Sequence, residues 1–445
     1  MSNRFHNSNI KGRITRREFM WLTSVTVAGL AAGCATNPVT GGTQFMLVSE
    51  ESEIQLDKKN SPHQFSADYG IVQDQELDRY IQQTGKKLAA QSHRPHMPYE
   101  FHGVNATYIN AYAFPGGSIA ATRGILLTLD SEAELAALLG HELGHVNARH
   151  TAQQMSKGML TQVLVGGVAA YAGTRSSTLG DLTMALGSVG AGALLASYSR
   201  DNEREADALG IAYMTKSGYS SDGFVGLMEM LNSLSKHKPT TAELLFSTHP
   251  MGSERYKTAL EAAGTQYSYA KKYPLHRERY MDHTARLRAI KGAVEEMQKG
   301  DTMMGQKNYN EAEKHYTNAL KIAPDDYTAL MMMSRCQIAQ QKLAAAKQYV
   351  EKAQRVYPNE AQGHYFAGML KLKEKAFEAA HNDFKKYDSL LPGNPNILFF
   401  KGYSLEGMGQ IKPAAENYNA FLKQVNQGRE AQHAYQRLVE WGYLK

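Results

Sequence analysis

Apolar residues recur along this chain with several different periods, and the changes of period divide it. A basic stretch, KGRITRREF, runs into a largely apolar segment from Phe19 to Leu30. From Ala35 to about Phe65 the pattern lapses into Thr, Gly, Ser and Asn, which predicts a linker over residues 34–65. In ELDRYIQQTGKKLAAQS, Leu77, Ile81 and Leu88 share one face at helical spacing. The stretch from Tyr99 to Leu129 alternates instead, with aromatic and β-branched residues on both sides of Pro115-Gly116-Gly117; it predicts two or three strands and a turn. Ser131-Glu132-Ala133-Glu134 has the form of an N-cap box, and the helix it opens should run through LLGHELGHVNARH, Leu138 to His150. Another helix is expected from Asn202 to Thr215. Between these two helices lie MLTQVLVGGVAAYAG and LTMALGSVGAGALLAS, apolar runs divided by TRSSTLGD. Each is shorter than the roughly 20 residues a membrane span requires. Residues 159–197 therefore predict small-residue helices that cover the site as a lid or pack against it, with a shallow dip into a membrane as the alternative.

The last third repeats. Gly300, Ser334, Gly368 and Gly402 recur every 34 residues, as do Ala312, Ala346, Ala380 and Ala414, and Tyr316, Val350, Phe384 and Tyr418. Pro324, Pro358 and Pro392 close three of the units. A helix pair with an apolar face that only its neighbour can bury must stack in this way. The period and its small, aromatic and proline positions resemble tetratricopeptide repeats, about four of them plus a capping helix through Tyr435 and Leu438, over residues 276–445. Ser334 departs from the glycine position, and Asn426 stands where a fourth proline would fall. Such superhelices bind a peptide or another protein; the alternative is that the array buttresses the domain before it.

The chain has 445 residues and a net charge of +6, from 49 basic and 43 acidic residues. So small an excess suits anionic lipid or acidic partners, and with neither a zinc-finger spacing nor an aromatic-interleaved basic patch it does not point to nucleic acid. Two cysteines, Cys34 and Cys336, rule out a disulfide framework. Cys34 closes Ala31-Ala32-Gly33-Cys34 directly after the first apolar segment, so residues 1–33 predict an export signal. Leu30 to Cys34 resembles a bacterial lipobox, whose cysteine becomes the lipidated first residue, and Thr15 to Met20 resembles a twin-arginine signal. A plain signal peptide or an anchor helix is the alternative. Ala35, where an aspartate would suggest retention in the inner membrane, favours the outer membrane by resemblance to Gram-negative lipoproteins.

Chemistry concentrates in HELGH. Residues four apart on a helix share a face, so His141 and His145 can point at one ion, with Glu142 beside them. A hydrolytic zinc site needs a third protein ligand and an open position. In SRDNEREAD, Glu203 and Asp207 are again four apart: Glu203 can supply the third ligand, and Asp207 can accept a hydrogen bond from a ligand imidazole. Glu205 competes on spacing, but it points about 200° away from Glu203 and cannot share the aspartate's face. His150 lies nine residues from His141, about 180° round on a continuing helix, which assigns it to packing or surface unless the helix ends first.

These elements, INAYAFPGG, Gly124 with Leu126, SEAELAALLGHELGHVNARH, SRDNEREAD and STHP, resemble the HtpX-type zinc metallopeptidases of the gluzincin group, family M48, over roughly Glu76 to Arg255. The resemblance implies an M48-type domain over residues 66–275, one Zn2+ per chain on His141, His145 and Glu203, Asp207 in support and Glu142 as general base. It further implies an edge strand at Asn110, Ala111, Tyr112 and Ala113 that pairs with substrate backbone, and His249 as a removable, regulatory metal ligand. Tyr198 and Arg200 are candidate oxyanion donors. The expected fold is mainly α with a small β-sheet, a gluzincin-like domain followed by an α-solenoid. With its export signal and repeats the chain resembles periplasmic members of the family. It would then be a zinc endopeptidase, lipid-anchored at Cys34 to the outer membrane, that cleaves unfolded or misassembled envelope proteins and meets the outer-membrane assembly machinery through its repeats. The alternative function is a chaperone or scaffold in which proteolysis is secondary.

Overall fold

The computed structural model describes residues 34–158, 198–237 and 239–444. The export signal of residues 1–33 and the apolar runs of residues 159–197 lie outside them. A short antiparallel hairpin, β1 (Cys34–Thr36) with β2 (Thr43–Phe45), leads into an 18-residue helix, α1 (Glu50–Ala67). The linker expected over residues 34–65 is therefore corrected: half of it is helix, and that helix is half buried. The reason lies in what it buries. Its inward face carries Glu53, Asp57, Asn60, Ser61 and Gln64 with few apolar residues. Glu53 is fully enclosed and accepts hydrogen bonds from Arg94 and Arg149 at 2.8 and 3.0 Å. Asp57 Oδ2 accepts the backbone N–H of Ser118 at 2.8 Å. A helix buried through ion pairs carries no hydrophobic period to be read. Ser49 caps its start by accepting from the Ser52 N–H.

Helix α2 (Gln75–Ala89), capped by Asp74, turns Leu77, Tyr80, Ile81 and Leu88 inward. It covers a three-stranded sheet of β3 (Glu100–Val104), β4 (Ala111–Ala113) and β5 (Ser118–Thr122), in the order β3-β5-β4. β5 runs parallel to β3 and antiparallel to β4, with Tyr112 opposite Ala120. The β4–β5 turn uses Gly117 at φ +114°, a conformation side chains other than glycine's resist. Its neighbour Gly116 leaves no room for a Cβ, which would lie 2.5 Å from the Asp57 side chain.

Two helices carry the chemistry. α3 (Glu132–Asn147) starts at Ser131, whose hydroxyl accepts from the Glu134 N–H, and α4 (Arg200–Lys216) starts at a capping box of Ser199 and Asn202. They cross in unusually close contact because glycines meet: a Cβ on Gly140 would stand 3.1 Å from the Gly210 carbonyl, and one on Gly144 3.0 Å from Ala206. α5 (Ser221–His237), α6 (Glu243–Thr248) and α7 (Ser253–Gly264) complete this region. No helix of the described residues is long and apolar enough to cross a membrane.

Beyond residue 290 the chain forms antiparallel pairs: Lys291–Gly305 with Tyr309–Ile322, Tyr327–Ala339 with Leu343–Val356, Ala361–Lys373 with Phe377–Leu390, and Pro395–Gly407 with Ile411–Leu422. Arg429–Glu440 follows them. The 34-residue small position has a mechanical meaning. A Cβ on Gly300 would meet the Tyr316 ring at 2.4 Å, one on Gly368 the Phe384 ring at 2.7 Å, and one on Gly402 the Tyr418 ring at 2.7 Å. In the second pair the larger Ser334 stands at the glycine's place and the smaller Val350 at the aromatic's, both fully buried, so one volume change offsets the other. The array shares a continuous apolar core with the first region, through Val294, Met297 and Met332, and adds polar contacts: Arg123 with Asp326 at 2.6 Å, Ser66 with Glu360, and Tyr357 Oη donating to the Ile71 carbonyl at 3.2 Å.

Candidate metal centre

α3 and α4, held close by their glycines, bring His141 and His145 against Glu203. The two Nε2 atoms are 3.1 Å apart; Glu203 Oε2 is 3.6 Å from that of His141, and Oε1 is 3.3 Å from that of His145. His249, at the end of α6, adds a fourth donor: its Nδ1 is 3.1 Å from Glu203 Oε1. These four buried residues present ligand atoms that all lie within 4.8 Å of one another. Glu142 is buried beside them, its Oε1 3.8 Å from His249 Nε2 and its Oε2 without a hydrogen-bond partner.

The surroundings set the charges. Burial would raise the Glu203 carboxyl, but His249, His145 and His141 outweigh it and hold the group far below the usual carboxylate range. Burial pushes Glu142 upward, with the neighbouring imidazoles opposing. Burial drives His145 well below the ordinary imidazole value, which keeps it neutral, the form that ligates metal. Asp207 sits where its spacing from Glu203 suggested, 2.9 Å from His141 Nδ1. Arg255, which the sequence reading missed, grips Asp207 with two nitrogens at 2.7 Å and Glu203 Oε2 with a third at 2.6 Å. It lies on α7, 48 residues from Asp207. A lone arginine in a helix of ordinary composition gives no sequence signal; only the adjoining STHP hinted at the segment.

Three further placements differ from expectation or refine it. α3 ends at Asn147, and Arg149 takes φ +59°, so His150 is not carried to the opposite face. It is fully buried, with Nδ1 2.9 Å from His145 Nδ1 and Nε2 3.1 Å from Glu205 Oε2. Tyr198 stacks flat on His145, centroids 3.7 Å apart, with its hydroxyl at Thr151, and Arg200 is exposed. Neither points a donor into the centre. Ala111, Tyr112 and Ala113 form the edge strand β4, with Asn110 just before it, and Ala113 shares a narrow cleft with His145, Val146 and Tyr198. On the other side of Glu142, Leu138, Leu227, Met228, Leu231, Phe246 and Met251 line an apolar pocket whose open space, about 20 Å³, holds a water and little more.

Comparison with known proteins finds two families along the chain. A model described as Peptidase family M48 matches residues 75–263, and one described as Tetratricopeptide repeat matches residues 303–370. The chain is 30% identical over 210 residues to a "Beta-barrel assembly-enhancing protease" of Yersinia pestis, covering 45% of this chain and 42% of that protein. It is 33% identical over 158 residues to "Metalloprotease YcaL" of Escherichia coli (strain K12), covering 36% and 59%. The chain thus spans less than half the length of the first of these relatives. Among solved structures it is similar to "MamA 41-end from Desulfovibrio magneticus RS-1", at 16% identity and a TM-score of 0.33, over 34% of this chain and 86% of that one. Residues 75–263 of this chain form a peptidase family M48 domain, and tetratricopeptide repeats follow it.

Proposed function

We propose that the chain is a zinc-dependent endopeptidase of the bacterial envelope, with His141, His145 and Glu203 as zinc ligands, Asp207 in support and Glu142 as general base. The observation that carries this reading is the spacing of the three donors. Tetrahedral zinc with bonds of about 2.0–2.1 Å sets its ligand atoms about 3.3 Å apart; here the two imidazole Nε2 atoms stand 3.1 Å apart, with Glu203 Oε1 3.3 Å from that of His145 and Glu203 Oε2 3.6 Å from that of His141. The donor chemistry, two imidazoles and a carboxylate, fits equally well.

Zinc, when bound, supplies Lewis acidity to the scissile carbonyl and lowers the pKa of an attacking water towards about 7. Glu142 takes the proton from that water on its unpartnered Oε2 and passes it to the departing amine; a carboxyl raised by burial is suited to both transfers. Asp207, anchored by Arg255, holds the His141 ring. The substrate lies along Ala111 to Ala113 as an added strand. His249 would act as a latch, a removable fourth donor to the metal; its contacts with Glu203 and Glu142 support this, as does the near absence of space beside it. The printed name "Beta-barrel assembly-enhancing protease" supports barrel proteins as the substrate class and their assembly as what the repeats serve; the lipobox-like run from Leu30 to Cys34 supports Cys34 as the lipid attachment.

Native mass spectrometry of the chain and its Glu203→Ala variant tests the centre: one zinc in the first and substantial loss in the second are expected. A folded chain that takes up no zinc refutes it. For the latch, His249→Ala should raise basal peptide cleavage; unchanged or lower activity with zinc retained sinks that role.

A further inference from the structure

The two ligand imidazoles are supported unequally. His141 meets a carboxylate directly, with Asp207 at 2.9 Å from its Nδ1. His145 meets another imidazole, His150, which in turn meets Glu205. We propose that Glu205 and His150 form a positioning relay that orients His145 and raises its basicity, so that both residues tune metal affinity without touching the metal. The proposal rests on His145 being a ligand through Nε2.

The hydrogen bonds of the relay can run in one direction only. His145 turns Nε2 towards His141 and Glu203, so as a neutral ligand it keeps its proton on Nδ1. That N–H has His150 Nδ1 as its neighbour at 2.9 Å, and His150 must accept there. The remaining proton of His150 then sits on Nε2, where Glu205 Oε2 accepts it at 3.1 Å. Each member fixes the tautomer of the next. Tyr198, stacked at 15° on the His145 ring, holds its plane so that the N–H stays aimed at His150. The positive φ of Arg149 falls between the end of α3 and His150, which lies folded back onto His145. His150 is completely enclosed, whereas the Glu205 side chain keeps 31% of its exposure, so the relay reaches from the buried ligand to the protein surface.

Because Glu205 is partly exposed, removing its carboxylate should leave the fold intact. Zinc affinity is measured by competition with a chromogenic chelator on the full-length chain in mild detergent, for wild type, Glu205→Ala, Glu205→Gln, His150→Phe and the double variant. Glu205→Ala should weaken binding about tenfold or more, the usual effect of losing such a partner. Glu205→Gln keeps the acceptor and should recover part of the loss. In the His150→Phe background Glu205→Ala should change nothing further, because the link is already cut. With cobalt in place of zinc, the visible spectrum should shift in Glu205→Ala, which a merely structural role would not cause. If wild type binds one zinc and Glu205→Ala binds it as tightly, or weakens it equally in both backgrounds, the relay is overturned while the centre stands. Should wild type bind no zinc, both readings fall. If His150→Phe does not fold, the Glu205 variants still decide.

Discussion

The metal centre and the repeat array are both packed cores, and they are held together by opposite means. At His141, His145 and Glu203 enclosed charged or polar groups are kept in place by named counterparts: Arg255 for Glu203 and Asp207, Asp207 for His141, His150 for His145. In the repeats the fit is one of volume, a glycine on one helix beneath an aromatic ring on its partner. A charged core fails when a partner is removed, because the remaining group stays buried without one. A core built on volume fails when atoms are added or lost, and it tolerates paired exchanges, as Ser334 with Val350 shows.

The largest effect should come from the chemistry of the first region. Glu142→Gln is expected to lower peptide cleavage by about 10²–10⁴-fold while zinc content by native mass spectrometry stays at that of wild type. Loss of zinc instead would mean that Glu142 shapes the site rather than moving a proton. Next, Arg255→Met leaves two enclosed carboxylates facing each other and should cost about 3–5 kcal/mol in the urea stability of the metal-free chain. A cost under about 1 kcal/mol, the size of an exposed ion pair, would erase the contrast between the two cores. Gly402→Ala drives a methyl into the Tyr418 ring and should cost about 1–3 kcal/mol. Gly402→Ser with Tyr418→Val copies the second pair and should be more stable than Gly402→Ser alone; if it is not, the exchange of volume is not what relieves Ser334. The smallest effect is a pH dependence. Glu203 has a folded pKa far below its ordinary 4.5, so its ionisation contributes stability that is complete above about pH 4.5 and declines as pH falls further. The difference in urea midpoint between wild type and Glu203→Gln should therefore narrow below pH 4.5, and a constant gap down to pH 3 would contradict that.

The same contrast governs what could be read from the sequence. Volume-based packing leaves a period, so the repeats, α2 and the strands about Pro115 to Gly117 were legible. The four-residue spacings in HELGH and EREAD are a helical period written in ligands, and they placed His141, His145, Glu203 and Asp207 together. Charge-based packing between distant segments leaves no period. α1 reads as a linker because Glu53 and Asp57 are what it buries, and Arg255 leaves no signal because its partners are remote in the chain. A helix continued past Asn147 would carry His150 to the far face; nothing in NARH announces that Arg149 adopts φ +59°.

The docking of the repeats has a consequence for how the molecule can be dissected. Arg123, with 3% of its side chain exposed, has Asp326 of the second helix pair as its counter-charge, and Ser66 at the end of α1 donates to Glu360 of the third. Cutting the chain ahead of the array strips Arg123 of that partner. It also removes Met297, whose sulfur meets the same guanidinium. A truncated peptidase fragment is thus a differently stabilised protein, and any change in its turnover mixes lost recruitment with local unfolding. Single substitutions along the outer faces of the later helix pairs separate the two, because they leave the cooperative unit whole.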